Sequence, residues 1–112
     1  MNTRAGERHG PSLTITGMAF GVVSLHYPKP EHRDELVRRL AAAADVMAAT
    51  EGCVDVAYWE ERETRALVST GTFTSEDAWN RAVQAVLAAK VDFAYDQREA
   101  RPRDVYFLVQ PR

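Results

Sequence analysis

His26 ends an apolar run, at the kind of strand terminus where pocket mouths form in sheet proteins. A neutral imidazole there could take a proton from an acidic C–H or a phenol. The same residue also reads as a half-exposed histidine that titrates freely. Asp55 is the second candidate, a carboxylate in the middle of the apolar segment 53–60. On a buried face, desolvation would raise its pKa and make it a base; at an edge it is merely solvated. Tyr58, Trp59 and Trp79 could wall a flat pocket for a phenolic or polycyclic ligand, or could simply be core. Cys53 follows Gly52 with no His beside it, which reads as a small hydrophobe rather than a nucleophile. His9 and His32 read as surface residues. No glycine-rich phosphate loop, zinc-ligand spacing or nucleophile–base motif is present.

The elements that must position these residues follow from periodicity. Residues 1–17 are polar and interrupted by Gly6, Gly10, Pro11 and Gly17, which predicts a flexible tail in which Leu13 and Ile15 could lie against an edge. Residues 18–112 form one domain. Met18 to Tyr27 reads as a strand, and Pro30 suits the first turn of the helix that follows. Leu36, Val37, Leu40, Ala43, Ala44 and Met47 give that helix one apolar face, with Asp34–Arg38 and Glu35–Arg39 pairs outside and Gly52 as its stop. Residues 53–60 form a second strand, Glu61 to Arg65 a charged hairpin loop, and Ala66 to Phe73 a third strand. Gly71 there marks a bulge or a close backbone approach. Thr74-Ser75-Glu76-Asp77 caps a second helix whose buried stripe is Trp79, Ala82, Val83, Val86 and Leu87. A short helical turn carrying Phe93 and Tyr95 is expected between Val91 and Arg103, then a last strand from Asp104 to Val109.

A chain of 112 residues with 46% hydrophobic and 27% charged residues is an ordinary single globular domain. Its net charge of −2 supplies no attraction for nucleic acid or anionic membranes. One cysteine cannot form an internal disulfide, and neither a signal-like apolar run at the start nor a membrane-length segment is present. The expected location is cytoplasmic.

An antiparallel sheet with helices on one side should leave its other face polar. Here Phe20, Val22 and Ser24 oppose Ala19, Val23 and Leu25, and Val105, Phe107 and Val109 oppose Tyr106 and Leu108. Both faces of two strands are therefore apolar, which predicts a homodimer closed by sheets packed face to face.

The order strand–helix–strand, strand–helix–strand, with Glu51-Gly52-Cys53 entering the second strand and Phe73-Thr74-Ser75-Glu76-Asp77-Ala78-Trp79 opening the second helix, resembles the antibiotic biosynthesis monooxygenase family of dimeric α+β barrels. The resemblance runs from Met18 to Val109. It implies an α+β, ferredoxin-like βαββαβ subunit, a dimer, and a pocket between sheet and helices. Members of the family include cofactor-free quinone-forming oxygenases, which deprotonate a phenol or anthrone and let the carbanion react with O2. Others degrade haem or handle small signalling metabolites. The quinone-forming type carries Asn, Trp and Tyr at positions that fall by spacing near Ser69, Phe73 and Trp79, so those roles do not transfer by residue type. The haem-degrading type needs an axial His on the second helix, and no His follows His32.

The resulting expectation is a monooxygenase without cofactor or metal, acting with O2 on an aromatic or polyketide-like small molecule. His26 and Asp55 are its candidate catalytic groups, and Tyr58, Trp59, Ser69, Phe73 and Trp79 its pocket. The alternatives are an isomerase or lyase of the same fold, or a non-catalytic small-molecule-binding protein.

Overall fold

A computed structural model describes residues 19–111. Its elements are β1 (Phe20–His26), a 3-10 turn (Pro30–His32), α1 (Arg33–Ala48), β2 (Cys53–Glu60), β3 (Leu67–Phe73), α2 (Glu76–Ala88) and β4 (Asp104–Val109). They form one four-stranded sheet in the order β2-β3-β1-β4, antiparallel throughout. The architecture is α+β and ferredoxin-like, with both helices against one face of the sheet. Met18 and the tail, with Leu13 and Ile15, lie outside the described residues.

Local chemistry explains the junctions. Gly52 takes φ 91° after α1, a conformation costly for a side-chain-bearing residue, and a Cβ there would stand 2.5 Å from the Cβ of Ala78. The Ser75 side chain accepts from the Ala78 backbone N–H at 3.1 Å and caps α2, with Glu76 and Asp77 at the positive end of the helix. Gly71 marks a close approach rather than a bulge, since a Cβ there would meet the Phe73 ring at 2.8 Å. The bulge lies in β2 instead, between Cys53 and Asp55.

Three expectations are corrected. Leu87 is 61% exposed, so the buried stripe of α2 is Ala78, Ala82 and Val86. The segment from Val91 to Arg103 has no helix; it runs as a strap across the open end of the helix layer, tied by an isolated bridge between Glu99 and Pro28. Arginines replace regular structure there. Arg39 donates to the carbonyls of Asp92 and Ala94, and Arg98 donates to Asp92, Asp96 and Glu35. Glu35 and Arg39, expected to pair with each other, each reach the strap instead.

The core falls into two clusters. Val56, Phe73, Ala78 and Ala82 form one, with Cys53 and Trp79 packed against it; Leu36, Leu40 and Leu67 form the other, with Phe93 against it. The helices pack chiefly over the β2 side of the sheet, which leaves β4 exposed after Asp104.

Candidate functional site

Members of both clusters bound a cavity of about 510 Å3 between the sheet and the helices, within the range that encloses a small organic ligand. The sheet contributes Val22, Val56 and Phe73, α1 contributes Leu40 and Met47, and α2 contributes Trp79, Val83 and Val86. Phe93 of the strap closes one side. The exposed members of the lining, Tyr58, Leu87, Asp92, Ala94 and Val105, stand where the cavity meets solvent.

One band of this wall is polar. Strand alternation puts Ser24 and His26 on the same face of β1, and antiparallel register sets Ser24 directly opposite Ser69 of β3. Ser24 Oγ lies 2.9 Å from His26 Nε2 and is also hydrogen-bonded to Ser69 Oγ. A continuous chain, Ser69–Ser24–His26, therefore crosses the two central strands inside a mostly apolar lining. His26 is 1% exposed, and its Nδ1 has no partner among the described residues. The Phe93 ring covers it at 5.5 Å between ring centres.

Arg103 lies 4.9 Å from the Phe93 ring centre and donates to the Phe93 carbonyl and to the buried Glu99 carboxylate. Burial, and then the positive charges of Arg103 and Arg39, lower the His26 pKa to about 4, so its imidazole is neutral at pH 7. The half-exposed, freely titrating histidine is thereby corrected.

Of the residues singled out from sequence, His26, Tyr58, Ser69, Phe73 and Trp79 are brought together in this lining, and Asp55 and Trp59 are not. Asp55 pairs with Thr72, and Trp59 pairs with Val68 and donates its indole N–H to Thr70 Oγ1 at 3.3 Å. Both belong to the sheet face turned away from the helices, because the bulge after Cys53 shifts the alternation by one residue. Trp79 stands edge-on to Phe73 at 5.5 Å. Sequence reasoning missed Ser24, Phe93 and Arg103. Ser24 was findable, since a hydroxyl two residues before His26 in an apolar strand must share its face. Among the described residues, no three His, Cys, Asp or Glu side chains cluster closely enough to hold a metal ion, and no helix is long and apolar enough to cross a membrane.

A ferredoxin-like sheet with an apolar cavity under two helices defines the class, and the comparisons supply the family. The sequence profile of the antibiotic biosynthesis monooxygenase family matches residues 19–90, more than half of the chain, and the chain belongs to that family. The fold is similar to that of Rv0793 from Mycobacterium tuberculosis, at 22% identity and a TM-score of 0.71, covering 84% of this chain and 96% of that one. It is similar to PA3566 from Pseudomonas aeruginosa, at 14% identity and a TM-score of 0.71, with 88% and 100% covered. A solved antibiotic biosynthesis monooxygenase is similar at 11% identity and a TM-score of 0.65, with 80% and 95% covered. No curated protein sequence matches the chain.

Proposed function

We propose that this protein is a cytoplasmic, cofactor-independent monooxygenase that oxidises an aromatic, polyketide-like small molecule with O2 in the cavity between sheet and helices. The observation that carries the reading is the cavity itself: about 510 Å3, walled by aliphatic and aromatic side chains, with one buried hydrogen-bonded chain set into it. The net reaction converts an acidic ring CH2 and O2 into a carbonyl and water. The ring CH2 gives its proton to water at the cavity mouth and leaves a carbanion whose charge spreads onto a ring oxygen; the carbanion reduces O2, the peroxide anion takes a proton back, and the resulting hydroperoxide loses water. The protein's part is to exclude bulk water and to stabilise the developing negative charge.

His26 takes a narrower role than a general base. With its pKa lowered to about 4 it is far too weak to ionise a phenol-like acid in one step, and it serves to hold Ser24. Asp55, off the cavity, has no part in the reaction. That weak basicity favours one rival reading, a protein that binds aromatic ligands without turning them over.

An oxygen electrode separates the two. With an anthrone as substrate, one O2 is consumed per quinone formed, and the rate depends on enzyme concentration. A ligand-induced rise in Tm without O2 uptake makes the protein a binding module. Turnover that proceeds equally in the absence of air makes it an isomerase or lyase.

A homodimer belongs to the same proposal. Val23 and Leu25 of β1, with Tyr106 and Leu108 of β4, give the sheet face opposite the helices an apolar surface, and Tyr106 and Leu108 are exposed in the protomer. A second copy packed on that face would cover it. Sedimentation at micromolar concentration is expected to give about twice 12.5 kDa, and Leu108→Glu to return the 12.5 kDa species. A wild-type protein that sediments as the single chain overturns the pairing.

A further inference from the structure

We infer that the Ser69–Ser24–His26 chain is a one-way hydrogen-bond donor relay whose last hydroxyl, that of Ser69, binds the carbonyl oxygen of an uncharged aromatic ketone in the cavity. The inference rests on the ligand site proposed above and adds to it the polarity of the site, the charge of the ligand and the residues that read it.

The direction of the relay follows from donor accounting. Two hydrogen bonds join three groups, and the single proton of the buried Ser24 hydroxyl, bonded to no third group, goes to one of its two partners; every O–H and N–H then points toward His26 or every one points away from it. Pointing toward His26 would place the imidazole proton on Nδ1, which has no partner and is sealed from water. A buried N–H without an acceptor is among the costliest defects a protein carries. Pointing away leaves only an unused lone pair at Nδ1. His26 Nε2–H therefore donates to Ser24, and the Ser24 hydroxyl donates to Ser69. The Ser24 proton is then accounted for and the Ser69 proton is not: the Ser69 O–H has no acceptor in the relay, and Ser69 lines the cavity. It presents a donor, and what fits a donor in an apolar pocket is an acceptor oxygen.

The charges around the cavity exclude an anionic ligand. Arg103 is the cationic side chain in the lining, and it is already paired with Glu99, a carboxylate 5% exposed and 2.6 Å away. Asp92, the anionic member, is held by Arg98 and Arg39. His26 contributes no positive charge at neutral pH. A carboxylate or phosphate in this cavity would be a desolvated charge with no unengaged cation to meet it, which is prohibitive beside a neutral ketone. The same Ser69 hydroxyl that donates to a ketone also stabilises the enolate oxygen formed when the ketone loses its proton. His26 and Ser24 act through Ser69 and are positioning residues.

Three tricyclic probes of nearly one shape test this: 9-fluorenone, fluorene and fluorene-9-carboxylate, titrated into the full-length protein by tryptophan fluorescence. Fluorenone is expected to bind about 5- to 10-fold more tightly than fluorene, the worth of one well-made hydrogen bond, and the carboxylate more weakly than either. Ser69→Ala removes the preference for the ketone and leaves fluorene within about twofold of wild type, since it deletes one hydroxyl from an apolar wall. His26→Gln, chosen because it keeps a side-chain donor, retains part of that preference, whereas His26→Leu loses it; a merely structural role would weaken all probes together. Carboxylate binding as tight as the ketone, an unaltered ketone preference in Ser69→Ala, or no binding of any probe overturns the inference. Ser69-dependent ketone binding without O2 uptake on an anthrone upholds the relay and rejects the oxygenase. Anthrone oxidation that is indifferent to Ser69→Ala does the reverse.

Discussion

β1 and β4 are neighbours in the sheet and read almost alike, each apolar on both parities, yet the protomer treats them oppositely. Phe20, Val22, Ser24 and His26 of β1 are buried in alternation, while every residue of β4 after Asp104 is exposed. Position separates them. β1 lies between β3 and β4, with the strap's Phe93 over its end, whereas β4 is an edge that the helices, packed toward β2, meet at Phe107 through Trp79 of α2. Burial here is a property of topology more than of composition. A polar group is therefore costly and informative on β1 or β3, and an apolar group on β4 marks surface that another partner must cover.

The largest effect should come from the interior strands. Phe73, fully buried at the end of β3 and opposite Phe20, touches both the core and the cavity. Phe73→Ala is expected to cost about 3–5 kcal/mol in urea unfolding, a large part of a small domain's stability. A loss below about 1 kcal/mol would mean that the buried strands are no more tightly held than β4.

Next comes acid. The unfolded chain protonates His26 near its ordinary 6.5, while the folded chain refuses the proton until about 4. Stability contributed by this group is complete above pH 6.5, declines as pH falls toward 4, and levels off beneath it. The loss is about 3 kcal/mol, from 1.36 kcal/mol per unit. Other groups titrate in the same window, so the measurement is a difference: urea unfolding at pH 7 and pH 4 for wild type and for His26→Gln. The variant should lose less stability on acidification; equal losses would place His26 in contact with water. Ser24→Ala, a smaller change in the same chain, strands both Ser69 and His26 and should cost about 2 kcal/mol by the same assay, against near zero for a hydroxyl facing solvent.

The strand and helix order was legible because period and punctuation agree: Pro30, Gly52 and Ser75 each sit where a local rule needs them. The exposed apolar run of β4 was legible as well. Two things were not. Asp55 falls on the parity of Cys53, and only the bulge, which leaves no mark in residue type, turns it to the far face. The strap carries Phe93 and Tyr95 where a short helical turn is expected, and it holds none. Its conformation is set instead by Arg39, which reaches its carbonyls from more than fifty residues away along the chain. The burial of His26 follows from that strap, so its depressed pKa could not be read from a strand end. Long-range ion pairs leave no local periodicity.

The finest test of the β1–β4 contrast lies within β4 itself. Phe107 and Leu108 are adjacent and similarly exposed, 58% and 48%, but point to opposite faces. Phe107 lies on the helix side, stacked on Phe20 at 5.8 Å and edge-on to Trp79 at 6.2 Å. Leu108 lies over Gly21 on the far side, where a second copy is proposed to pack. At dilutions that dissociate any dimer, each change to Ala should cost about 1 kcal/mol or less, because little area is buried by either. At high protein concentration Phe107→Ala should cost the same, whereas Leu108→Ala should cost more, because a change that weakens assembly also removes the stability that assembly lends. Unfolding midpoints measured across a hundredfold range of concentration read both terms at once. If Leu108→Ala is as insensitive to concentration as Phe107→Ala, the apolar far face of β4 is covered by something other than a second copy of this chain.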